Sequence, residues 1–310
     1  MSNWEDGCAE RYRIPKVYET HEELCADPSI DAVVEITSDD MHAPIAIDVM
    51  NAGKHVYLEK PMATTVNDCI EMVKACKASG VKLGVGFQLR YHPGHVEASR
   101  LVREGGLGVV ALAQVLLGSG VRGQLKGDPR TGLRGWWESP EMVGNSRSMI
   151  GTGVHCVDDL EFILGQTVVE VAAITDGQTA ETPLENLVSL SLMFSGGAIG
   201  TMCCGSRIPD AINDLTVYGS DGRILLKNAA SPSLGGSLEV TSETGNSEAS
   251  YEPDPLALAK WQIEGFNKAI SRDEDPRASG LDGLRSVQIT DAMIESVRTK
   301  RTVRVEPILT

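Results

Sequence analysis

A charged pair, Glu59 and Lys60, comes directly after the apolar run 54–58. Pro61 follows the pair and stops strand pairing, so both charges are expected at the carboxyl end of a strand. That edge of a parallel sheet is where α/β proteins bind their ligands. A partly desolvated lysine beside a carboxylate can accept or donate a proton, or hold a substrate oxygen. The alternative is an exposed ion pair at a strand end, which would contribute little.

A histidine with two nearby carboxylates forms the second chemical feature. His155 precedes Asp158 by three residues and Asp159 by four, at the start of an apolar segment that ends at Leu164. On a helix either carboxylate can lie beside the imidazole, where it would fix the tautomer and raise the basicity of the ring. The alternative is a histidine packed under a sheet, with Asp158 as a local hydrogen-bond partner.

The first 90 residues alternate short apolar strands with amphipathic helices. This spacing is typical of βαβ units and predicts a parallel, doubly wound sheet. Thr65 begins one of the helices with a capping pattern and Gly80 ends it. The strands are predicted at 16–18, 31–36, 54–58 and 81–87, and the helices at 20–25, 41–51 and 65–79.

After about residue 105 the pattern changes to β-branched and apolar segments separated by turns, which indicates a large, mainly antiparallel sheet. We therefore predict a Rossmann-like domain over 1–90 and an α+β domain over 91–310. Residues 228–254, rich in Ser, Gly and Glu, are expected to form a mobile loop. The strands of the second domain are predicted at 109–117, 168–175, 187–194, 198–204, 215–218 and 302–305, and its helices at 256–270 and 281–298.

Composition limits the possible partners. The 310 residues carry 28 Lys and Arg against 43 Asp and Glu, a net charge of −15, which argues against nucleic acid and anionic membranes. No run of about 20 apolar residues exists to span a bilayer, and the first residues do not resemble a secretory signal. The seven cysteines are an odd number without a C-x-x-C pair, so free thiols and no metal site are expected. A cytoplasmic location follows as an expectation.

These features, taken in order along the chain, resemble one known family. Ala52–Pro61 matches the signature A-G-K-H-V-x-x-E-K-P of the Gfo/Idh/MocA oxidoreductases, and Gly153–Asp158 matches their G-x-H-x-x-D run. The resemblance implies an NAD- or NADP-dependent enzyme that acts on a sugar, a cyclitol or a related hydroxy compound. It also implies a homo-oligomer formed through the antiparallel sheet.

The family pattern assigns individual residues of this sequence to the site. The catalytic group would be Lys60 and His155, with Asp158 as the accompanying carboxylate. Hydride transfer from a hydroxyl requires a base for its proton, which such a pair supplies. Arg90 is also expected to face the substrate. The residues implied for the cofactor are Thr37, Asp39, His42, Glu59, Lys60 and Arg90.

The sequence departs from the family pattern at two places. The family commonly has an aspartate four residues before the histidine, where this chain has Gly151. The family also begins with a strand, a G-x-G-x-x-G loop and a helix, whereas this sequence aligns from the helix after the second strand. Gly118–Gly123 and Gly106–Ala111 contain similar glycine spacings, but neither is predicted to open a helix, which phosphate binding requires.

These departures leave alternatives to the dehydrogenase. One is a descendant that has lost the cofactor and acts as a lyase or epimerase on a sugar-like ligand. Another is a binding or scaffold subunit without catalysis.

Overall fold

The computed structural model describes residues 3–123, 130–231, 233–243 and 245–307. Within these ranges the N-terminal part is built from helices and short strands, and the C-terminal part from a sheet backed by helices. The α-helices are α1 (Asn3–Tyr12), α2 (His21–Ala26), α3 (His42–Asn51), α4 (Val66–Ser79), α5 (Pro93–Arg103), α6 (Val154–Leu164), α7 (Ala257–Arg272) and α8 (Gly280–Thr299).

A small parallel sheet forms the N-terminal part, as predicted. It contains β1 (Ala32–Glu35), β2 (His55–Leu58) and β3 (Leu83–Val85) in that order. Since Glu35 pairs with Leu58 and Leu58 with Val85, all three strands end at the same edge. The segments that follow β1 and β2 therefore meet there.

A large sheet forms the C-terminal part, and its mainly antiparallel character is also confirmed. The strand order is β11-β10-β9-β8-β4-β7-β6-β5-β12, and only the pair β4 and β7 is parallel. The strands are β4 (Val110–Gly118), β5 (Val168–Thr175), β6 (Leu187–Phe194), β7 (Ile199–Gly205), β8 (Leu215–Gly219), β9 (Gly222–Lys227), β10 (Ser237–Ser242), β11 (Gly245–Ser250) and β12 (Val303–Arg304).

Helix ends follow the local signals of the sequence. The side chain of Thr65 accepts a hydrogen bond from the backbone N–H of Asp68, which caps α4. Gly80 ends the same helix with φ of +67°, a left-handed conformation that glycine adopts without strain. Thr20 caps α2 in the same way as Thr65 caps α4.

Two predicted segments are wrong. Residues 16–18 form no strand: Lys16 and Tyr18 each direct a side chain to the Asp27 carboxylate at 2.7 Å, and the backbone pairs with no strand of the described chain. In the segment 228–254, a mobile loop was expected, but β10 and β11 form a hairpin joined to β9. Every side chain of β11 is exposed, so the strand depends on backbone pairing and has no apolar pattern that would reveal it.

Helix α8 packs against both sheets. Leu284 and Val287 belong to the apolar core beside the parallel sheet. Ile289, Met293 and Val297 belong to the core under the large sheet. One helix therefore contributes to two cores, and the boundary at residue 90 stays a prediction.

A buried arginine joins the elements that surround this junction. Arg90, just after β3, donates to both carboxylate oxygens of Asp158 in α6, the shortest contact being 2.8 Å. It also donates to Asp282 Oδ1 of α8 at 2.9 Å and to the Arg277 carbonyl at 2.8 Å. The arginine and Asp158 side chains are 8% and 2% exposed, so the ion pair is shielded from water.

Replacing this arginine tests how strongly the cluster stabilises the fold. The change Arg90→Met should lower the free energy of unfolding by about 3–5 kcal/mol, because it leaves Asp158 buried without its cation. Urea denaturation followed by circular dichroism measures the loss. The matched control is Arg100→Met, whose ion pairs are on the surface and are worth about 0–1 kcal/mol. Equal losses for the two variants would contradict the assignment.

Candidate active site

Two cavities meet at Lys60. One, of about 390 Å³, lies beside the carboxyl ends of β1 and β2. The other, of about 320 Å³, lies toward the large sheet. Lys60, Arg130 and Trp137 line both. A group bound in either cavity would therefore contact the same lysine.

The first cavity collects five of the six residues that were predicted for the cofactor. Thr37, Asp39, His42, Glu59 and Lys60 all line it. They meet because Glu59 N–H continues the ladder by donating to the carbonyl of Glu35 at 3.0 Å, which brings the ends of β1 and β2 together. We call this space the strand-end cavity.

Buried polar atoms in the strand-end cavity lack partners. His42 Nδ1 donates to the Pro61 carbonyl at 2.8 Å, which leaves Nε2 facing away from that bond. His42 Nε2 and Asp39 Oδ2 are buried and form no hydrogen bond within the described chain. Unpaired buried polar atoms are costly, and ribose hydroxyls would supply the missing partners. These residues therefore fit the ribose end of a nicotinamide nucleotide.

Burial also shifts the acid groups of this cavity. It raises the pKa of Asp39 to about 7, although the positive charge of Lys60 opposes the shift. Burial also raises the pKa of Glu59, and the positive charge of Lys60 again opposes the shift. A carboxyl group with the pKa of Asp39 exchanges its proton near neutral pH.

Lys60 itself is held by the backbone of a neighbouring segment. Its Nζ donates to the Gly151 carbonyl at 3.1 Å, and Gly151 lies in the π-helical turn Met149–Gly153 that precedes α6. Burial lowers the pKa of Lys60, while Glu59 and Asp39 oppose this. A Cβ atom at Gly151 would lie 3.2 Å from Trp137 Cζ3. The indole thus occupies the space of an aspartate at this position, and the carbonyl contacts the lysine instead.

His155 lies behind the cavity wall, in the first turn of α6. It is 5% exposed, and its Nδ1 has no hydrogen-bond partner within the described chain. Burial lowers the pKa of His155 well below its usual value, and the charge of Lys60 adds to this. The imidazole is therefore neutral at physiological pH, close enough to Lys60 to be affected by its charge.

Three sequence expectations need correction. Neither predicted carboxylate orients His155: Asp158 is bound to Arg90, and Asp159 accepts a hydrogen bond from His95 at 2.7 Å. Arg90 faces neither cavity, because its guanidinium is buried against Asp158 and Asp282. The partners of Asp158 and Asp159 lie more than 60 residues away in the sequence, so sequence spacing did not reveal them.

The second cavity is polar. Its lining includes Arg147, whose Nη2 lies 2.6 Å from Glu138 and whose Nη1 donates to Asn186 Oδ1 at 3.3 Å. We call this space the sheet-side cavity. Four hydroxyl side chains, one amide and four charged side chains line it, and such a wall suits a ligand rich in hydroxyl groups. The remaining polar side chains are those of Ser119, Ser148, Thr152 and Ser206.

Sequence patterns did not indicate the aromatic and arginine residues of the site. Trp136 and Trp137 stack with ring centroids 4.7 Å apart in the 3-10 helix Gly132–Glu138. Two of the four tryptophans of the chain are adjacent there, close to Arg130 and Arg134. That pairing was the available signal, but no periodicity indicated where the segment would pack.

The two glycine patterns lie where the sequence placed them. Gly118 ends β4, and no helix begins in the described residues up to Gly123; the following 124–129 lie outside the described part. Gly106 comes after α5 and before β4, the reverse of a phosphate-binding loop.

Two further features concern the chain in general. All seven cysteines are free thiols, and Cys69, Cys156 and Cys204 are buried. Among the described residues no cluster of His, Cys, Asp and Glu could hold a metal ion. The helices in the same ranges are too short or too polar to cross a membrane.

The shifted carboxyl group gives a pH-dependent prediction. Because Asp39 keeps its proton to about pH 7 when folded but only to about pH 4 when unfolded, the folded state binds more protons between these values. Its stability therefore falls as the pH rises through this window. Asp39→Asn should be more stable than the wild type by about 1–3 kcal/mol at pH 8, and the difference should vanish toward pH 4.

Urea denaturation at a series of pH values checks this. Asp210→Asn is the matched control, since Asp210 is 62% exposed and should give no such trend. A stability difference that is independent of pH would contradict the assignment.

Comparison with known proteins agrees with this architecture. A 1,5-anhydro-D-fructose reductase from Ensifer adhaerens is 29% identical over 287 residues, covering 92% of this chain and 83% of the relative. A myo-inositol 2-dehydrogenase from Thermotoga maritima is 25% identical, covering 97% and 87%. The structure of aldose-aldose oxidoreductase from Caulobacter crescentus, complexed with glycerol, superposes with a TM-score of 0.84 at 28% identity, covering 96% and 88%.

Family comparison covers both parts of the chain. Residues 2–87 match the oxidoreductase family with an NAD-binding Rossmann fold, and residues 95–225 match the C-terminal domain of the same family. With the E-K-P segment after β2 and the histidine at the start of α6, the chain belongs to the Gfo/Idh/MocA family of oxidoreductases.

Proposed function

We propose that this protein is an NAD- or NADP-dependent dehydrogenase or reductase of a sugar, cyclitol or related polyol. The observation that carries the proposal is the position of Lys60, which lines the strand-end cavity and the sheet-side cavity together. A cofactor in the first and a polyol in the second would both contact its amine.

The strand-end cavity would hold the nicotinamide ribose. Asp39 and His42 each have a buried polar atom there that no described residue of the chain hydrogen-bonds, and Thr37 and Glu59 also line the wall. When bound, the nicotinamide accepts or donates hydride.

Lys60 is the proposed acid and base. Oxidation of a hydroxyl requires that its proton leave as the carbon loses hydride, and a nearby amine can accept that proton. Burial lowers the pKa of Lys60, which makes the neutral amine accessible at a lower pH than for an exposed lysine. In the reverse direction the ammonium form would donate the proton to the carbonyl oxygen.

His155 and Asp158 have supporting roles. His155 is neutral and close enough to Lys60 for the charge of the lysine to lower its pKa further, so it does not add a second positive charge to the site. Asp158 lies one turn further along α6 and is bound to Arg90. It is a positioning residue that holds the helix start on which His155 lies.

The substrate class is inferred from the wall of the sheet-side cavity. Its serine, threonine and asparagine side chains suit several hydroxyl groups better than an apolar molecule. The named relatives include a reductase of 1,5-anhydro-D-fructose and a dehydrogenase of myo-inositol, which supports the same class. The cytoplasmic location stays a prediction.

A homo-oligomer through the large sheet is part of the proposal. Met193 pairs with Ile199, Ile199 with Leu112 and Leu112 with Tyr218. The four side chains therefore form a row across β6, β7, β4 and β8. Ile199 is 49% exposed and Tyr218 38%, an apolar row that a second copy could cover.

Replacing the lysine tests the catalytic proposal. Lys60→Met should lower kcat by at least about 100-fold, because it removes the proton acceptor, while NADH still binds. Polyol turnover is measured by nicotinamide absorbance, and binding by nicotinamide fluorescence with NADH and NADPH. Lys74→Met is the matched control, since Lys74 is exposed on α4. Unchanged turnover in Lys60→Met would contradict the assignment of Lys60 as the acid and base.

Cofactor titration separates the alternatives. Binding of either reduced nucleotide, with a stabilisation of about 2.7 kcal/mol at 100 times Kd, supports the dehydrogenase. A folded protein that binds neither, yet converts a sugar, would be the cofactor-free lyase or epimerase. Binding of neither without conversion would favour the scaffold subunit.

The oligomer has its own test. Ile199→Lys places a charge in the middle of the exposed row and should shift the protein toward the monomer in light scattering. Lys227→Ile, an exposed position in β9, is the control for a surface change elsewhere in the sheet. A wild-type monomer would contradict this part of the proposal.

A further inference from the structure

Two arginines of the 130–138 segment line the strand-end cavity. Arg130 and Arg134 both line it, and Arg134 does not line the sheet-side cavity. In the described part of the chain neither guanidinium lies in an ion pair. Only the backbone N–H of Arg130 is tied to an acid, donating to Glu138 at 3.0 Å.

The other arginines of the region behave differently. Arg90 is buried against Asp158, and the half-buried Arg147 binds Glu138. Arg130 and Arg134 are exposed. Their guanidinium groups are therefore accessible from the cavity and have donors available for a ligand.

An aromatic platform holds one of the two groups. The guanidinium carbon of Arg130 lies 4.2 Å from the centroid of the Trp137 ring, and Trp137 stacks on Trp136. A guanidinium stacked in this way uses its face and keeps its in-plane N–H donors free. Burial lowers the pKa of Arg130, and the nearby Arg134 lowers it further, so an anion between them would relieve their repulsion.

We infer that Arg130 and Arg134 bind the phosphate of the nicotinamide nucleotide next to the ribose. Guanidinium groups match phosphate oxygens in bidentate geometry. Arg134 shares only the cavity that contains Thr37 and Asp39, which places the phosphate on the nucleotide side. The inference rests on the proposed function and adds the group that neutralises the nucleotide's charge.

A pair of probes that differ only in the phosphate tests this directly. Reduced nicotinamide mononucleotide and reduced nicotinamide riboside are titrated into the full chain and followed by nicotinamide fluorescence. The mononucleotide should bind at least about tenfold more tightly, as expected for charge-assisted hydrogen bonds. Arg130→Gln and Arg134→Gln should each weaken mononucleotide binding severalfold and leave riboside binding unchanged.

Three controls accompany the titrations. Arg301→Gln removes one exposed charge in the turn between α8 and β12 and should change neither affinity. Arg130→Lys keeps the charge and should retain part of the preference for the mononucleotide. Circular dichroism melting verifies that each variant folds, and added salt should weaken the mononucleotide alone in the wild type.

The titrations distinguish failure of this inference from failure of the proposed function. Equal binding of both probes by the wild type, or unchanged binding in both glutamine variants, would overturn the inference while the dehydrogenase stands. Failure of both probes and of NADH to bind would overturn both. If glucose 6-phosphate stabilises the nucleotide-free protein, glucose does not, and Arg130→Gln abolishes the difference, the phosphate belongs to a substrate and the inference is wrong.

Discussion

The site depends on one buried ion cluster. Arg90 follows β3 of the small sheet and binds Asp158 in α6 and Asp282 at the start of α8. Since α6 carries His155 and the turn before it carries Gly151, the cluster fixes both against Lys60 at the end of β2. Charges removed from water need good geometry to be stable, so the cluster restricts how the two sheets can sit relative to each other.

Ionisable groups at the strand ends are held in environments that disfavour their charge. Lys60, Asp39 and Glu59 all have pKa values shifted by burial in the direction of the neutral form. Such shifts cost folding free energy and are typical of groups that exchange protons with a ligand. The unpartnered atoms of Asp39 and His42 have the same meaning, because a bound ribose would satisfy them.

Regular patterns predicted most of the fold. The apolar runs of β1, β2 and β6 and the caps at Thr65 and Gly80 each depend on neighbours in sequence, and all are found. The strand-end residues Thr37, Asp39 and His42 were assigned by the family resemblance, and Glu59 also by its position after an apolar strand. Strand β11 was missed because its side chains are exposed and polar, and the segment 16–18 was wrong because a strand requires a partner that the sequence does not specify.

The rest of the site comes from irregular segments, which have no period to detect. Trp137 lies in a 3-10 helix, Arg130 lies just before that helix, and Gly151 lies in a π-helical turn. Tertiary packing brings the three residues to Lys60. The same packing concentrates positive charge in a chain whose net charge is −15. At long range such a protein repels anions, whereas at short range the arginines around the two cavities attract them. Selectivity for an anionic nucleotide would then arise inside the cavities, where the guanidinium groups match the geometry of a phosphate. The electrostatic field of the whole molecule would not provide it.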